Sequence, residues 1–472
     1  MKSGFRCFYF ICASLLATQV YAADMSGWSD KTVCRLVKAG GGQEHIEEAK
    51  SRGLACGAAV TSASKKQVKA FVTAPVPSLV SGPQASIIQT FRLFYPDAYL
   101  SQNKYINETI TFDFNNDGLL DVLSTSRRHD GVSIEIALNN GDRTFSDGTT
   151  EIITGKIPKL VHPREIIQDD FNGDSISDFY IVGHGYDVQP WSGEQNALLL
   201  SNGDGTWDNA PLPRVSDFTH SATSGDIDND GDIDIYVGNT YGEKKIPPYM
   251  LINNGIGEFT KNTKILPRAL KSFNIKFTTS LLFDANNDGW LDLIGGNHDG
   301  EDGRGNKIYL SKRGSFSNSS VIKLPVSTTF RRNEVLDTQI YDFNNDGFKD
   351  VLFLSTKGPY YVDHQIQILI NDGASNFIDA TDEYIPNYVH DGHWSKYVHI
   401  ADINNDGYDD LLLEGITRRY FLNDGTGVFA TPGILKVPYG VVEVVNLDSD
   451  PQLELLIYKK QGLKGFGLMD TR

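Results

Sequence analysis

The chain has 472 residues, with 60 acidic against 43 basic side chains and a formal charge of −17. That balance excludes nucleic acid and anionic membrane as partners, because both are recognised through Lys and Arg. No apolar run approaches the roughly 20 residues that span a bilayer, so no transmembrane segment is expected after the leader is cleaved.

The leader comes first. Lys2 and Arg6 precede an apolar stretch from Cys7 to Ala17, and Val20-Tyr21-Ala22 places small residues before a cleavage point. Residues 1–22 read as a signal peptide, and the mature chain is expected to be secreted or periplasmic. Cys7 and Cys12 leave with it, so Cys34 and Cys56 remain as an isolated pair. In an oxidising compartment such a pair is most simply a disulfide, contributing roughly 3 kcal/mol. Residues 23–62 then read as a small α-helical hairpin: Ser29-Asp30 caps a helix through Lys38, Gly40-Gly41-Gly42 breaks it, and Glu44 to Arg52 forms a second helix ended by Gly53. Residues 63–472 have a different character. Strands between about 67 and 98 are expected to complete a blade begun at the other end of the chain.

From Asp113 onward one pattern returns every 56 to 60 residues: Asp-x-Asn/Asp-x-Asp-Gly-x-x-Asp, first in 112-FDFNNDGLLDVL-123. It recurs from Asp170, Asp226, Asp284, Asp342 and Asp402, and a degraded copy runs from Asn446 through Asp448, Asp450 and Pro451 to Glu454. A second signature keeps the same phase: 138-LNNGDRTF-145, 200-LSNGDGTW-207, 252-INNGIGEF-259, 310-LSKRGSF-316, 370-INDGASNF-377 and 422-LNDGTGVF-429. An apolar run, a turn rich in Asn or Asp and Gly, and an aromatic residue describe a tight β-hairpin. Each repeat therefore reads strand A, acidic loop, strand B, longer loop, strand C, tight turn, strand D. Four strands per unit, about seven times over, predict an all-β fold: a seven-bladed β-propeller of four-stranded antiparallel blades, preceded by the small helical element.

These motifs resemble the FG-GAP and VCBS-type repeats of exported bacterial proteins, relatives of the integrin α-chain propeller. The resemblance covers roughly residues 100 to 472 and implies the fold; a propeller carries many activities, so it does not imply one.

Oxygen ligands at positions 1, 3, 5 and 9, with a backbone carbonyl at 7, suit a hard cation tolerant of irregular coordination, calcium before magnesium. The expected ligands are Asp113, Asn115, Asp117 and Asp121; Asp170, Asn172, Asp174 and Asp178; Asp226, Asp228, Asp230 and Asp234. The remaining three loops supply Asp284, Asn286, Asp288 and Asp292; Asp342, Asn344, Asp346 and Asp350; and Asp402, Asn404, Asp406 and Asp410. About six structural Ca²⁺ sites would take the formal charge from −17 to −5. An EF-hand is rejected because position 12 is Ser124, Val237 or Leu413, within strands, where a Glu is needed. Solvated acidic turns are the bland alternative, and six loops in register argue against it, since unpaired carboxylates held close repel one another. Ser175 replaces the loop glycine in the second copy, and Pro451 is expected to leave the last loop weak or empty.

Because strands alternate in direction, the acidic loops and tight turns share one face, while B–C and D–A connections share the other. His129, His184, His298 and His364 fall in B–C segments, and His162, His220, His390 and His393 precede A strands, so eight of ten histidines belong to that second face. Arg164, His220 and Lys396 each lie six residues before an acidic loop and are expected to ring the channel mouth. The longest B–C loop, 183-GHGYDVQPWSGEQN-196, adds Tyr186, Asp187 and Trp191, and Trp394 precedes the sixth A strand. The expected ligand-binding set is His162, Arg164, His184, Tyr186, Asp187, Trp191, His220, His298, His393, Trp394 and Lys396. Aromatic planes beside cations suit a carbohydrate. Loop histidines are commonly plain surface residues, and no His-x-His or His-x₃-His spacing supports zinc.

No nucleophile motif or phosphate loop occurs. The sequence therefore points to a calcium-binding module for binding or adhesion to an extracellular glycan or protein. The alternative is a polysaccharide lyase on the same scaffold, with catalytic candidates His162, Arg164, His184, Tyr186, His220 and Lys396.

Overall fold

The computed structural model describes residues 106–458 apart from short loop segments, together with Lys50, Arg52, Leu93–Phe94 and Phe466–Asp470. The chain divides into units 1–70 and 71–472, and the second is described here. The expected leader, the helical hairpin, Cys34 and Cys56, His298, and Asp448 to Pro451 lie outside the described residues.

Each B strand begins at the last Asp of an acidic loop and runs as an apolar stretch: Asp121–Ser126, Asp178–Gly183, Asp234–Asn239, Asp292–Asn297, Asp350–Lys357 and Asp410–Leu413. The first four are buried at every residue, because a B strand is flanked in its sheet by A and C and covered on both faces by neighbouring sheets. Six antiparallel blades, each of four consecutive strands, follow one another between Ile106 and Ile434. The second blade carries an extra edge strand, Ile153–Thr154, parallel to Trp207–Asn209.

Seven blades were expected; six are built from consecutive strands, and the remaining four-stranded sheet is assembled differently. Val441–Val445, Glu454–Tyr458 and Phe466–Asp470 are joined by Leu93–Phe94, with Leu93 opposite Met469 and Phe94 opposite Leu468. Val445, Leu447 and Leu456 of this sheet pack with Val122, Ala137 and Phe145 of the first blade. Its Leu455 packs with Ile403, Leu412, Tyr420 and Leu435 of the sixth.

The core lies between blades. Trp207, the aromatic of the second hairpin, is buried against Phe112, Phe114 and Phe179, and its Nε1 donates to the Ser177 carbonyl at 3.0 Å. The A strands face one another around a central channel: Ser221 Oγ meets Ser280 Oγ at 2.7 Å, and Thr109 Oγ1 donates to Glu443 Oε2 at 2.7 Å.

A hairpin asparagine stitches some blades to their neighbours. Asn253 Nδ2 donates to the Phe171 carbonyl of the second blade at 2.7 Å, Asn371 Nδ2 to Ala285 O of the fourth at 3.0 Å, and Asn139 Nδ2 to Leu447 O of the last sheet at 3.0 Å. Ser201 and Ser311 occupy the equivalent place in the second and fourth blades.

Candidate functional site

The acidic loops share one hydrogen-bond pattern. In all six, the first Asp accepts the main-chain N–H groups of positions 5 and 6, at 2.7 to 3.2 Å. Position 5 accepts the N–H of position 7, as Asp117 Oδ1 does from Leu119 N–H at 2.9 Å. The backbone enters the left-handed region at position 6, where Gly118 has φ +88° and Ser175 +71°. It does so also at position 4, where Asn116, Asn229, Asn287, Asn345 and Asn405 have φ between +55° and +59°. The result brings side-chain oxygens of positions 1, 3 and 5 together, and in the third loop those of Asp226, Asp228 and Asp230 lie within 4.8 Å of one another. This oxygen-only set fits a hard divalent cation.

Position 9 does something further. Asp121, Asp178, Asp234, Asp292, Asp350 and Asp410 are fully or almost fully buried. One oxygen of each accepts the N–H of position 2, and the other accepts an N–H of strand C, as Asp121 does from Phe114 at 2.9 Å and Asn139 at 2.7 Å. Burial raises these carboxyls, to about 6 at Asp121 and Asp350, about 7 at Asp178, Asp292 and Asp410, and about 8 at Asp234. In the last sheet Glu454 Oε2 accepts from Leu447 N at 2.6 Å, so the staple persists there.

At the other face the channel opens into a cavity of about 290 Å³. Its mouth is shaped by a bulge that breaks A-strand register at the same place in successive blades, leaving Asn107, Arg164, His220, Thr278 and Leu336 as the extra residues. A bulge re-aims the extra side chain, and all five of these residues line the cavity. From the expected set, His162, Arg164, Asp187, His220, Trp394 and Lys396 come together there.

The others are placed elsewhere. His184 is fully buried beside the cavity, its Nε2 2.9 Å from His220 Nε2 and its ring against Phe218. Tyr186 packs edge-on against His129, Trp191 is exposed outside the cavity, and His393 lies beside Asp391.

Charge at this mouth is arranged in layers. Arg127, Arg164 and Lys396 line the cavity, and Lys396 Nζ bonds Asn107 O at 3.1 Å and the Glu108 carboxylate. Below them, burial raises Glu108, carries Asp337 to about 6 and carries Glu165 to about 8, the last pushed further by Glu108 and Asp337. Burial and the neighbouring Arg164, Arg127 and Lys396 push His162 down to about 2, so its ring is neutral. Its Nδ1 is buried without a partner among the described residues. Two aromatic rings, Tyr361 and Trp394, stand 5.4 Å apart at the rim.

Comparison with known families decides what kind of repeat this is. The FG-GAP-like repeat family matches residues 113–163, 170–237, 284–353 and 342–413, together more than half of the chain. The chain is an FG-GAP repeat protein. No curated protein matches it. Among solved structures, this FG-GAP protein is similar to an Agrocybe aegerita lectin described as recognising non-reducing terminal N-acetylglucosamine, at 16% identity and a TM-score of 0.43 over 69% of this chain and 80% of that one. It is also similar to a Bacillus licheniformis rhamnogalacturonan lyase, at 10% identity and a TM-score of 0.40 over 81% of this chain and 75% of that one. BBS1N, in its complex with ARL6DN, aligns at 10% identity and a TM-score of 0.44 over 82% of this chain and 96% of that one.

The FG-GAP period also locates the residues that sequence reasoning missed. Counting back six from each loop found Arg164, His220 and Lys396; counting back five finds Glu108, Glu165, Ser221, Thr279, Asp337 and Tyr397. Of these, Glu165, Ser221, Thr279, Asp337 and Tyr397 line the cavity. Arg127 and Tyr361 carried no signal, since each sits in a B–C connection whose length differs from blade to blade.

Proposed function

We propose that this FG-GAP protein is an exported, calcium-binding propeller that binds a glycan bearing acidic groups at its channel mouth, acting in binding or adhesion. One observation carries the reading: Arg127, Arg164 and Lys396 converge on a cavity of about 290 Å³ rimmed by Trp394 and Tyr361, on a chain of charge −17. Guanidinium groups pair with carboxylates in bidentate fashion, and aromatic planes cover the apolar faces of sugar rings. The volume suits one or two sugar units. In the same reading the sheet ending at Asp470 is the seventh blade, closed by Leu93–Phe94, and six Ca²⁺ ions stiffen the opposite face through the loops that start at Asp113, Asp170, Asp226, Asp284, Asp342 and Asp402.

The test is a glycan array probed with the purified chain, with calcium and with chelator. Retention on uronate or other acidic glycans that is lost in Arg164→Ala and Trp394→Ala supports the reading; retention on neutral glycans only, or on none, sinks it.

A second reading is a polysaccharide lyase, favoured by His162. His162 lines the cavity beside Arg164; its depressed value makes it a weak base in the empty site, and a uronate carboxylate paired with Arg164 and Lys396 would offset the charges that help lower it, bringing it toward the range a general base needs. Tyr186 does not line the cavity; the phenols that do are Tyr361, which donates to Glu334 at 2.9 Å, and Tyr397, which donates to the Arg164 carbonyl at 2.8 Å. Ultraviolet absorbance from unsaturated product, present with uronic-acid polysaccharides and absent in His162→Ala, separates this reading from binding alone.

A further inference from the structure

The channel face carries a second cluster that the cavity does not use. Asp363 and His364 lie in strand Val362–Asn371 of the fifth blade, and His390, Asp391 and His393 lie in the segment leading to the sixth. Among the described residues, Asp363, His364 and Asp391 each offer a ligand atom within 4.8 Å of the others. His364 is fully buried; its Nδ1 lies 3.5 Å from Asp391 Oδ1, 3.8 Å from Asp363 Oδ1 and 2.8 Å from the His393 carbonyl. Its Nε2 has no partner among the described residues, so the polar contacts of the ring are concentrated at the nitrogen aimed at the carboxylates. Two further imidazoles close on the same acids: His390 Nδ1 stands 3.1 Å from Asp363 Oδ2, and His393 Nδ1 stands 3.5 Å from Asp391 Oδ1. Arg419 holds the other Asp391 oxygen at 3.1 Å and fixes the carboxylate.

Two explanations share the cluster. His364 Nδ1–H donates to the His393 carbonyl at 2.8 Å and His390 Nδ1 stands at hydrogen-bond distance from Asp363, so a metal at His364 Nδ1 would replace that proton. The other histidine–carboxylate contacts, at 3.5 and 3.8 Å, are long for hydrogen bonds, which fall at about 2.7–3.2 Å. As edges of a coordination sphere they are ordinary: metal bonds of about 2.0–2.2 Å in a tetrahedron place ligand atoms about 3.4 Å apart. Imidazole mixed with carboxylate selects zinc and its neighbours over calcium, which takes oxygen alone.

We propose that Asp363, His364 and Asp391, closed by His390 or His393, form a site for a divalent transition cation of the zinc type. The site is distinct from the acidic loops, which lie on the other face, and does not depend on the glycan reading. It would tie the segment bearing Trp394 and Lys396 to the fifth blade.

The experiment titrates Zn(II) into the full chain with calcium saturating, followed by calorimetry, and Co(II), followed by its visible d–d absorption. The expected result is one equivalent of Zn(II) that calcium does not displace, with Co(II) bands of tetrahedral intensity. Asp391→Asn should weaken binding at least tenfold. Because Asp391 also holds Arg419, the double variant His390→Ala/His393→Ala, at half-exposed and exposed positions, keeps the test independent of folding and should weaken binding likewise. No stoichiometric Zn(II) uptake, or an affinity unchanged in both variants, overturns the site and leaves a set of long histidine–carboxylate contacts.

Discussion

Asp292 shows how much of an acidic loop serves the fold itself. Its oxygens accept Ala285 N–H at 3.1 Å and Ser311 N–H at 2.7 Å, and both donors are buried. A buried donor left without an acceptor costs about 1–3 kcal/mol, so Asp292→Ala should lose several kcal/mol of stability even without calcium. Asp288→Ala, at exposed position 5, should instead lower calcium affinity and leave calcium-free stability nearly unchanged; denaturant melts with calcium and with chelator separate the two. Glu165 gives a pH signature. Its folded value of about 8 stands above the ordinary 4.5, so the folded state binds the extra proton between those values. Stability from this group is full below pH 4.5 and is lost as pH rises through about 8. Glu165→Gln should therefore gain on the parent as pH is raised from 5 to 9, measured by the denaturation midpoint; equal slopes would contradict the raised value. The sequence made the loop oxygens legible because their spacing is local. It did not make Glu165 or Asp337 legible as buried carboxyls, because burial, the main cause of both raised values, is set by how blades distant in the chain pack together.

Among elements, the acidic loop was read correctly in its spacing and incompletely in its backbone. Position 4 adopts a left-handed conformation in every copy, with Asn five times and Gly173 once, a signal visible in the sequence and explained by the tolerance of Asn and Gly for positive φ. Ser175 at φ +71° carries the strain that glycine avoids in the other five loops. Ser175→Gly should stabilise the chain by about 1 kcal/mol, read as a rise in melting temperature. The A-strand bulge could not be read, since an extra residue is defined only by what lies opposite: Arg164 becomes extra because Val182 pairs with Glu165 and Gly183 with Pro163.

Over the whole molecule, the period of the acidic loops made the propeller legible, and the closing strand was legible too: Leu93–Phe94, within the expected span of about 67 to 98, completes the final sheet beside Phe466–Asp470. On the proposed calcium reading six ions would act together: a ligand at 100 times its Kd adds about 2.7 kcal/mol per site, so chelation should lower the melting temperature by many degrees. A melting temperature indifferent to chelator would show that the loops hold no ion of consequence. The asparagine stitches add a different property to the ring. Asn139, Asn253 and Asn371 join the last sheet to the first blade, the second to the third, and the fourth to the fifth, while Ser201 and Ser311 lack an amide to reach across. The circle is therefore stitched at some joints and held at others by different contacts, as Ser221 Oγ with Ser280 Oγ and Asn229 Nδ2 with Gly289 O hold the third blade to the fourth. Asn253→Ser or Asn371→Ser should speed amide hydrogen exchange at the joint each one spans, whereas Asn423→Ser, whose amide bonds Asp409 O of its own blade at 3.1 Å, should leave every joint as it was.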